Sequence, residues 1–116
     1  DLKPANVLVS LLPGRILQPK LCDFDAARVI RAADDSSRTA SAGAIGTFLY
    51  MSPERLRGRH GLPADAPEPD APPADIYSFA LVMYECLTRR KPYAGMAANE
   101  AYSQVFAGYR PSIPSG

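Results

Sequence analysis

Residues 74–90 constrain this chain more than any other stretch. Ile76, Phe79, Ala80, Met83 and Leu87 follow helical spacing, and Val82, Tyr84 and Cys86 widen the apolar face until only Ser78, Glu85 and Thr88 form a narrow polar stripe. A helix that is apolar nearly all round belongs at the centre of a domain and demands neighbours on nearly every side. Asp75 suits its N-cap. Arg89, Arg90 and Lys91 place cations at its negative end, and Pro92 stops it. A chain of 116 residues with 47% hydrophobic content can bury one such core, and no internal repeat suggests a second.

The N-terminal stretch carries the chemistry. Asp1-Leu2-Lys3-Pro4-Ala5-Asn6 runs straight into the apolar Val7-Leu8-Val9, and Lys20-Leu21-Cys22 leads into Asp23-Phe24. Pro4 removes a donor and pushes Lys3 toward extended geometry, so residues 1–6 read as a shaped loop rather than a helical turn. The strand begins at Asn6 or Val7. Pro13-Gly14 presets a turn, Ile16-Leu17 can open the second strand early, and the resulting hairpin brings Asn6 and Asp23 together. A carboxylate and an amide oxygen brought close suit a hard cation that also holds phosphate oxygens and water. Calcium fits poorly: Asp23-x-Asp25 read as a calcium loop needs an acid or amide at 27, where Ala27 stands.

Asp-x-Lys-x-x-Asn before one strand and Asp-Phe after the next resemble the catalytic and metal-binding loops of eukaryotic protein kinases. The resemblance implies that Asp1 accepts the proton of a substrate hydroxyl, that Lys3 neutralises charge on the transferred phosphoryl group, and that Asn6 and Asp23 hold magnesium against the phosphates of ATP. Gly46-Thr47-Phe48-Leu49-Tyr50-Met51-Ser52-Pro53-Glu54 is similar to the family's substrate-docking loop and Ala-Pro-Glu motif, with Ser52 for Ala. Thr47 with Lys3 looks like the Ser/Thr-specific pairing. Read locally, Ser52-Pro53-Glu54 is also a helix start over residues 53–57 with Ser as cap and Pro at the first position. Asp75-Ile76-Tyr77-Ser78-Phe79-Ala80 resembles Asp-x-Trp-Ser-x-Gly, which implies an Asp75 hydrogen bond to the catalytic loop's backbone. Residues 99–107 repeat a helical pattern up to Gly108, and Tyr109-Arg110-Pro111-Ser112-Ile113-Pro114 is similar to a motif of tyrosine-kinase-like Ser/Thr kinases.

The implied fold class is α+β: the mainly helical C-terminal lobe of a protein-kinase-like fold, with a short β-hairpin carrying the catalytic loop (1–6) and the metal-binding loop (23–25). An activation segment spans 23–54, an insertion with five prolines spans 58–73, and the core helix (74–90) and a further helix (99–107) follow. The domain reads as incomplete, lacking the Gly-rich loop and strand lysine expected upstream. Within the activation segment Thr39 and Ser41 are the implied phosphosites, with Arg28 and Arg38 as pairing cations. One departure stands out: Asp25 occupies the position after Phe24 where the family carries Gly.

Other classes are set aside. A net charge of +1 with no cationic run longer than Arg89-Arg90-Lys91 gives no nucleic-acid surface. No apolar run approaches the roughly 18 residues of a membrane span. Cys22 and Cys86 read as buried free thiols of a reducing compartment, and His60 as a solvated loop residue. The sequence therefore implies a cytoplasmic Ser/Thr kinase, or the cytoplasmic part of a larger protein, transferring the γ-phosphoryl group of ATP with Mg2+ to a protein hydroxyl. Two alternatives remain: a pseudokinase acting as a binding or scaffold module, motivated by Asp25, and an unrelated small α+β domain.

Overall fold

The computed structural model describes residues 1–25, 27, 45–58 and 72–113. Two antiparallel strands, β1 (Val7–Leu12) and β2 (Ile16–Leu21), form a hairpin. Three helices follow: α1 (Pro53–Gly58), α2 (Pro72–Thr88) and α3 (Ala98–Phe106). A 3-10 segment, Ile45–Tyr50, leads into α1.

Local chemistry accounts for the hairpin. Gly14 sits at φ 80° and ψ 12°, the left-handed geometry that glycine adopts without a Cβ clash, and Arg15 follows at φ 62° before Ile16 pairs with Leu12. The register runs to Val7 opposite Leu21, and Pro19 is tolerated because a two-stranded ribbon leaves one edge of each strand unpaired. Ahead of β1, Lys3 is extended at φ −155° as the following proline requires. The structure differs from the sequence reading at one point here: residues 4–6 do form a single 3-10 turn, closed by Asn6 N donating to Lys3 O at 2.9 Å. Pro4 occupies its first position, where its missing N–H has no bond to lose.

Ser52 caps α1 as its sequence implies: the Arg55 N–H donates to Ser52 Oγ at 3.3 Å, and Ser52 is fully buried. The core gathers Tyr50, Met51 and Leu56 with Leu81 and Val82 of α2, Tyr93 of the following loop, and Ala101 and Val105 of α3.

α2 starts at Pro72 rather than at 74, so Asp75 lies in its first turn and is not the N-cap. Prolines at 72 and 73 read as loop, yet the first turn of a helix accepts proline because its N–H groups lack intrahelical partners anyway. The helix, which expects neighbours on nearly every side, finds them along one side in this chain. Its buried positions are Ala74, Ser78, Leu81 and Val82, whereas Ile76, Phe79, Met83 and Leu87 are exposed, Ile76 by 67%. Part of the polar stripe packs beside Leu81 and Val82: Ser78 Oγ donates to Tyr50 O at 2.7 Å, and the Tyr50 hydroxyl donates to Glu85. Cys86 is exposed on this helix and Cys22 is half-buried, so neither is the buried thiol expected, and both are free.

α3 ends in a Schellman motif. Gly108 at φ 90° donates to Val105 O, and Tyr109 N donates to Gln104 O. The loop before α3 is held by Tyr93, a bulky residue at φ 58°. Left-handed geometry costs a non-glycine residue about 1–2 kcal/mol, which the 6% exposure of its ring offsets through apolar burial. Among the described residues no helix is long and apolar enough to cross a membrane.

Two outcomes are expected. The 116-residue chain on its own should bind 1-anilinonaphthalene-8-sulfonate through the apolar flank of α2, and a sharp cooperative melt without dye binding would contradict the exposure of that flank. Ser78→Ala, by stranding the Tyr50 carbonyl, should lower stability by about 1–3 kcal/mol in chemical denaturation, against a few tenths for Ser103→Ala on exposed α3.

Candidate active site

Asp1, Lys3 and Asn6 meet in the loop ahead of β1. Lys3 Nζ lies 2.6 Å from Asp1 Oδ2, with side chains 20% and 23% exposed. Asn6, buried at 6% exposure, donates from Nδ2 to Asp1 O at 2.8 Å. That bond spans five residues and draws the loop into a closed ring whose shape is set by the 3-10 turn. With its NH2 group so used, the Asn6 side chain keeps its oxygen as the acceptor end.

The hairpin delivers Asp23. Cys22 N donates to Asn6 O at 2.9 Å, one step beyond the Val7–Leu21 pair, so Asp23 begins where the ladder stops, next to Asn6. Asp23 is exposed and left-handed at φ 61°, a conformation aspartate tolerates better than most residues. Phe24 then turns the chain, Ala27 N donating to Phe24 O. The donor set is one carboxylate and one amide oxygen. Among the described residues no group of three His, Cys, Asp or Glu is gathered into a metal cage. Such a sparse set fits magnesium, which keeps waters and takes phosphate oxygens for most of its six positions.

Charged side chains lie within electrostatic reach of the backbone at Asp1: Arg55 of α1, Asp75 of α2, and Lys3 and Asp23 of the loops themselves. Asp75 itself is exposed and, among the described residues, forms no hydrogen bond to the loop of residues 1–6. Arg55, half-buried on α1, is a site neighbour that sequence reasoning missed. Its signal was adjacency to the Ser52-Pro53-Glu54 motif. Glu54 is half-buried in the first turn of α1. Thr47 lies in the 3-10 segment, its side chain outside the described residues, as are Thr39, Ser41, Arg28, Arg38 and His60.

The 3-10 segment is tied to α2 by Tyr50. Burial, then the hydrogen bond to Glu85, then the charge of Glu85 raise its phenol pKa well above the usual 10. An acid whose folded pKa is raised contributes stability that is complete below the unfolded pKa and is lost as pH climbs toward the folded one. The melting temperature is therefore expected to fall from about pH 10 upward, and less steeply in Tyr50→Phe. Equal alkaline slopes in the two proteins would show that this phenol is not the group responsible.

Comparison with known proteins agrees with this geometry. The family model for the protein kinase domain matches residues 1–113. The serine/threonine-protein kinase PkaA of Streptomyces coelicolor is 36% identical over 99% of this chain and 19% of its own length. The serine/threonine-protein kinase PknB of Mycobacterium leprae is 40% identical over 90% of this chain and 15% of its own. The mouse ankyrin repeat and protein kinase domain-containing protein 1 is 32% identical over 97% and 14% respectively. The chain spans less than a fifth of the length of each of these three relatives. A chain that folds its Asp-x-Lys-x-x-Asn loop against an Asp-Phe turn, and matches that family along nearly all its length, belongs to the protein kinase domain family.

Proposed function

We propose that this chain forms the central part of the C-terminal lobe of a Ser/Thr protein kinase, transferring the γ-phosphoryl group of ATP to a protein hydroxyl. The observation that carries the reading is the closed loop in which Asn6 pins the Asp1 backbone while Lys3 grips the Asp1 carboxylate.

Each side chain then has a task. Lys3 holds Asp1 Oδ2, which leaves Oδ1 to take the proton of the attacking hydroxyl, and its ammonium would neutralise negative charge on the phosphoryl group. Asn6 and Asp23 are the residues that would hold magnesium, whose charge neutralises the phosphate oxygens. Partly buried surroundings strengthen these interactions relative to bulk water. Little covalent work falls to the protein, since phosphoryl transfer is chiefly positioning and charge stabilisation. Protein substrate and ATP are the partners that this chemistry requires. The names of the relatives, all Ser/Thr kinases or kinase-domain proteins, favour turnover over a scaffold role.

The test is transfer of radiolabel from γ-labelled ATP to a protein acceptor by the full-length gene product. Asp1→Asn should lower kcat by about 10²–10⁴, and Asn6→Ala should raise the magnesium concentration needed for half-maximal rate. Equal turnover in wild type and Asp1→Asn would remove the role given to Asp1.

A further inference from the structure

Three side chains that are distant in sequence meet behind α3. The hydroxyls of Tyr77 on α2 and Tyr93 in the loop before α3 lie 2.9 Å apart. The guanidinium carbon of Arg110 sits 5.1 Å from the Tyr77 ring centroid, within cation–π range. Arg110 Nη1 also donates to Val105 O at 3.1 Å and to Tyr109 O at 2.7 Å, so one side chain caps the end of α3 and lies on α2 at once. The Tyr109 ring leans on Tyr93 at 6.2 Å between centroids. Tyr77 stands where the family motif has Trp, and a phenol supplies the oxygen that pairs with Tyr93, which an indole at that position does not carry.

On its other side α3 meets the 3-10 segment. The Phe48 and Tyr102 rings approach to 5.8 Å, and a small apolar pocket opens between the two elements, walled by Leu49, Ala98, Ala101 and Tyr93. Tyr93 thus belongs both to the three-residue cluster and to the pocket. A shift of α3 relative to α2 would pull Arg110 away from Val105 O or from the Tyr77 ring.

We propose that Arg110, acting through Tyr77 and Tyr93, is a positioning residue that fixes α3 against the Ile45–Tyr50 segment and so sets how the protein substrate is held. This rests on the kinase reading, in which that segment docks the substrate. Arg110 touches neither ATP nor the reacting hydroxyl. Removing it loosens a binding surface without altering the Asp1–Lys3–Asn6 loop.

The experiment uses the full-length protein as wild type, Arg110→Ala and Arg110→Lys, with myelin basic protein as the acceptor probe. Arg110→Ala should raise KM for the acceptor about three- to fivefold, the scale of an exposed cation–π contact, with kcat and KM for ATP within about twofold of wild type. Arg110→Lys, which keeps a cation over the ring, should recover part of the loss. Unchanged KM for the acceptor, or kcat and both KM values moving together, overturns the proposal. Absence of transfer by the wild type would instead defeat the kinase reading, and hydrogen exchange then decides the clamp on its own. Faster exchange of amides 98–106 in Arg110→Ala, with those of 4–12 unchanged, supports it, and identical exchange overturns it.

Discussion

The bond from Ser78 Oγ to Tyr50 O holds the middle of this structure together. Both residues are buried, at 5% and 7% exposure, so the carbonyl has no water to turn to and the hydroxyl is the partner that keeps it satisfied. Ser78 also donates toward Ala74 O at 3.1 Å, a sharing that leaves the helix intact while its side chain reaches outward. Once Tyr50 is fixed, Met51 and Ser52 follow into the core, Ser52 caps α1, and Arg55 arrives beside the Asp1 loop. The position of Arg55 near residues 1–6 thus traces back to a hydroxyl on α2, far along the chain.

The site itself rests on a different economy. It is built from short-range devices: an extended lysine before proline, one 3-10 turn, an asparagine that reaches back five residues, and a ladder bond from Cys22 that stops the hairpin at the right place. Leu2 ties this loop to the apolar core, but the bonds that shape the loop are its own. Both faces of the hairpin remain open, with Leu8, Val9, Leu11, Ile16 and Leu17 all more than half exposed. The chemistry-bearing groups are therefore preorganised by backbone geometry, while their placement against α1 and α2 depends on the Tyr50 seam.

That division explains what could be read in advance. The turn at Pro13-Gly14, the Ser52 cap and the meeting of Asn6 with Asp23 are local, because each is dictated by φ preferences or by strand register over a few residues. The bonding of the polar stripe on α2 was not legible. Periodicity shows that Ser78 and Glu85 share a stripe, but the partners that it meets, a backbone carbonyl and a phenol, come from a distant segment. The exposure of Phe79, Met83 and Leu87 is what a helix that is apolar nearly all round shows when this chain supplies neighbours on one side. The meeting of Tyr77, Tyr93 and Arg110 was not legible for a related reason: Tyr77 and Arg110 stand in separate motifs, and their union with Tyr93 needs the folded loop.

Asp25 is the departure on which a non-catalytic reading was based, and the backbone removes half of its force. Glycine is favoured where φ is positive, and in this structure the left-handed residue of the Asp23-Phe24-Asp25 run is Asp23, at φ 61°, while Asp25 is not among the positive-φ residues. The turn closed by Ala27 N on Phe24 O is compatible with any side chain at its second position other than those that clash, and Asp25 is exposed there. No steric strain follows from lacking glycine in this state. What remains is charge: a second carboxylate two residues from Asp23, fully able to be solvated, adds attraction for a cation at long range and is screened by water and salt. The geometry that Asp1, Lys3, Asn6 and Asp23 adopt is therefore reached without the glycine that the family pattern carries.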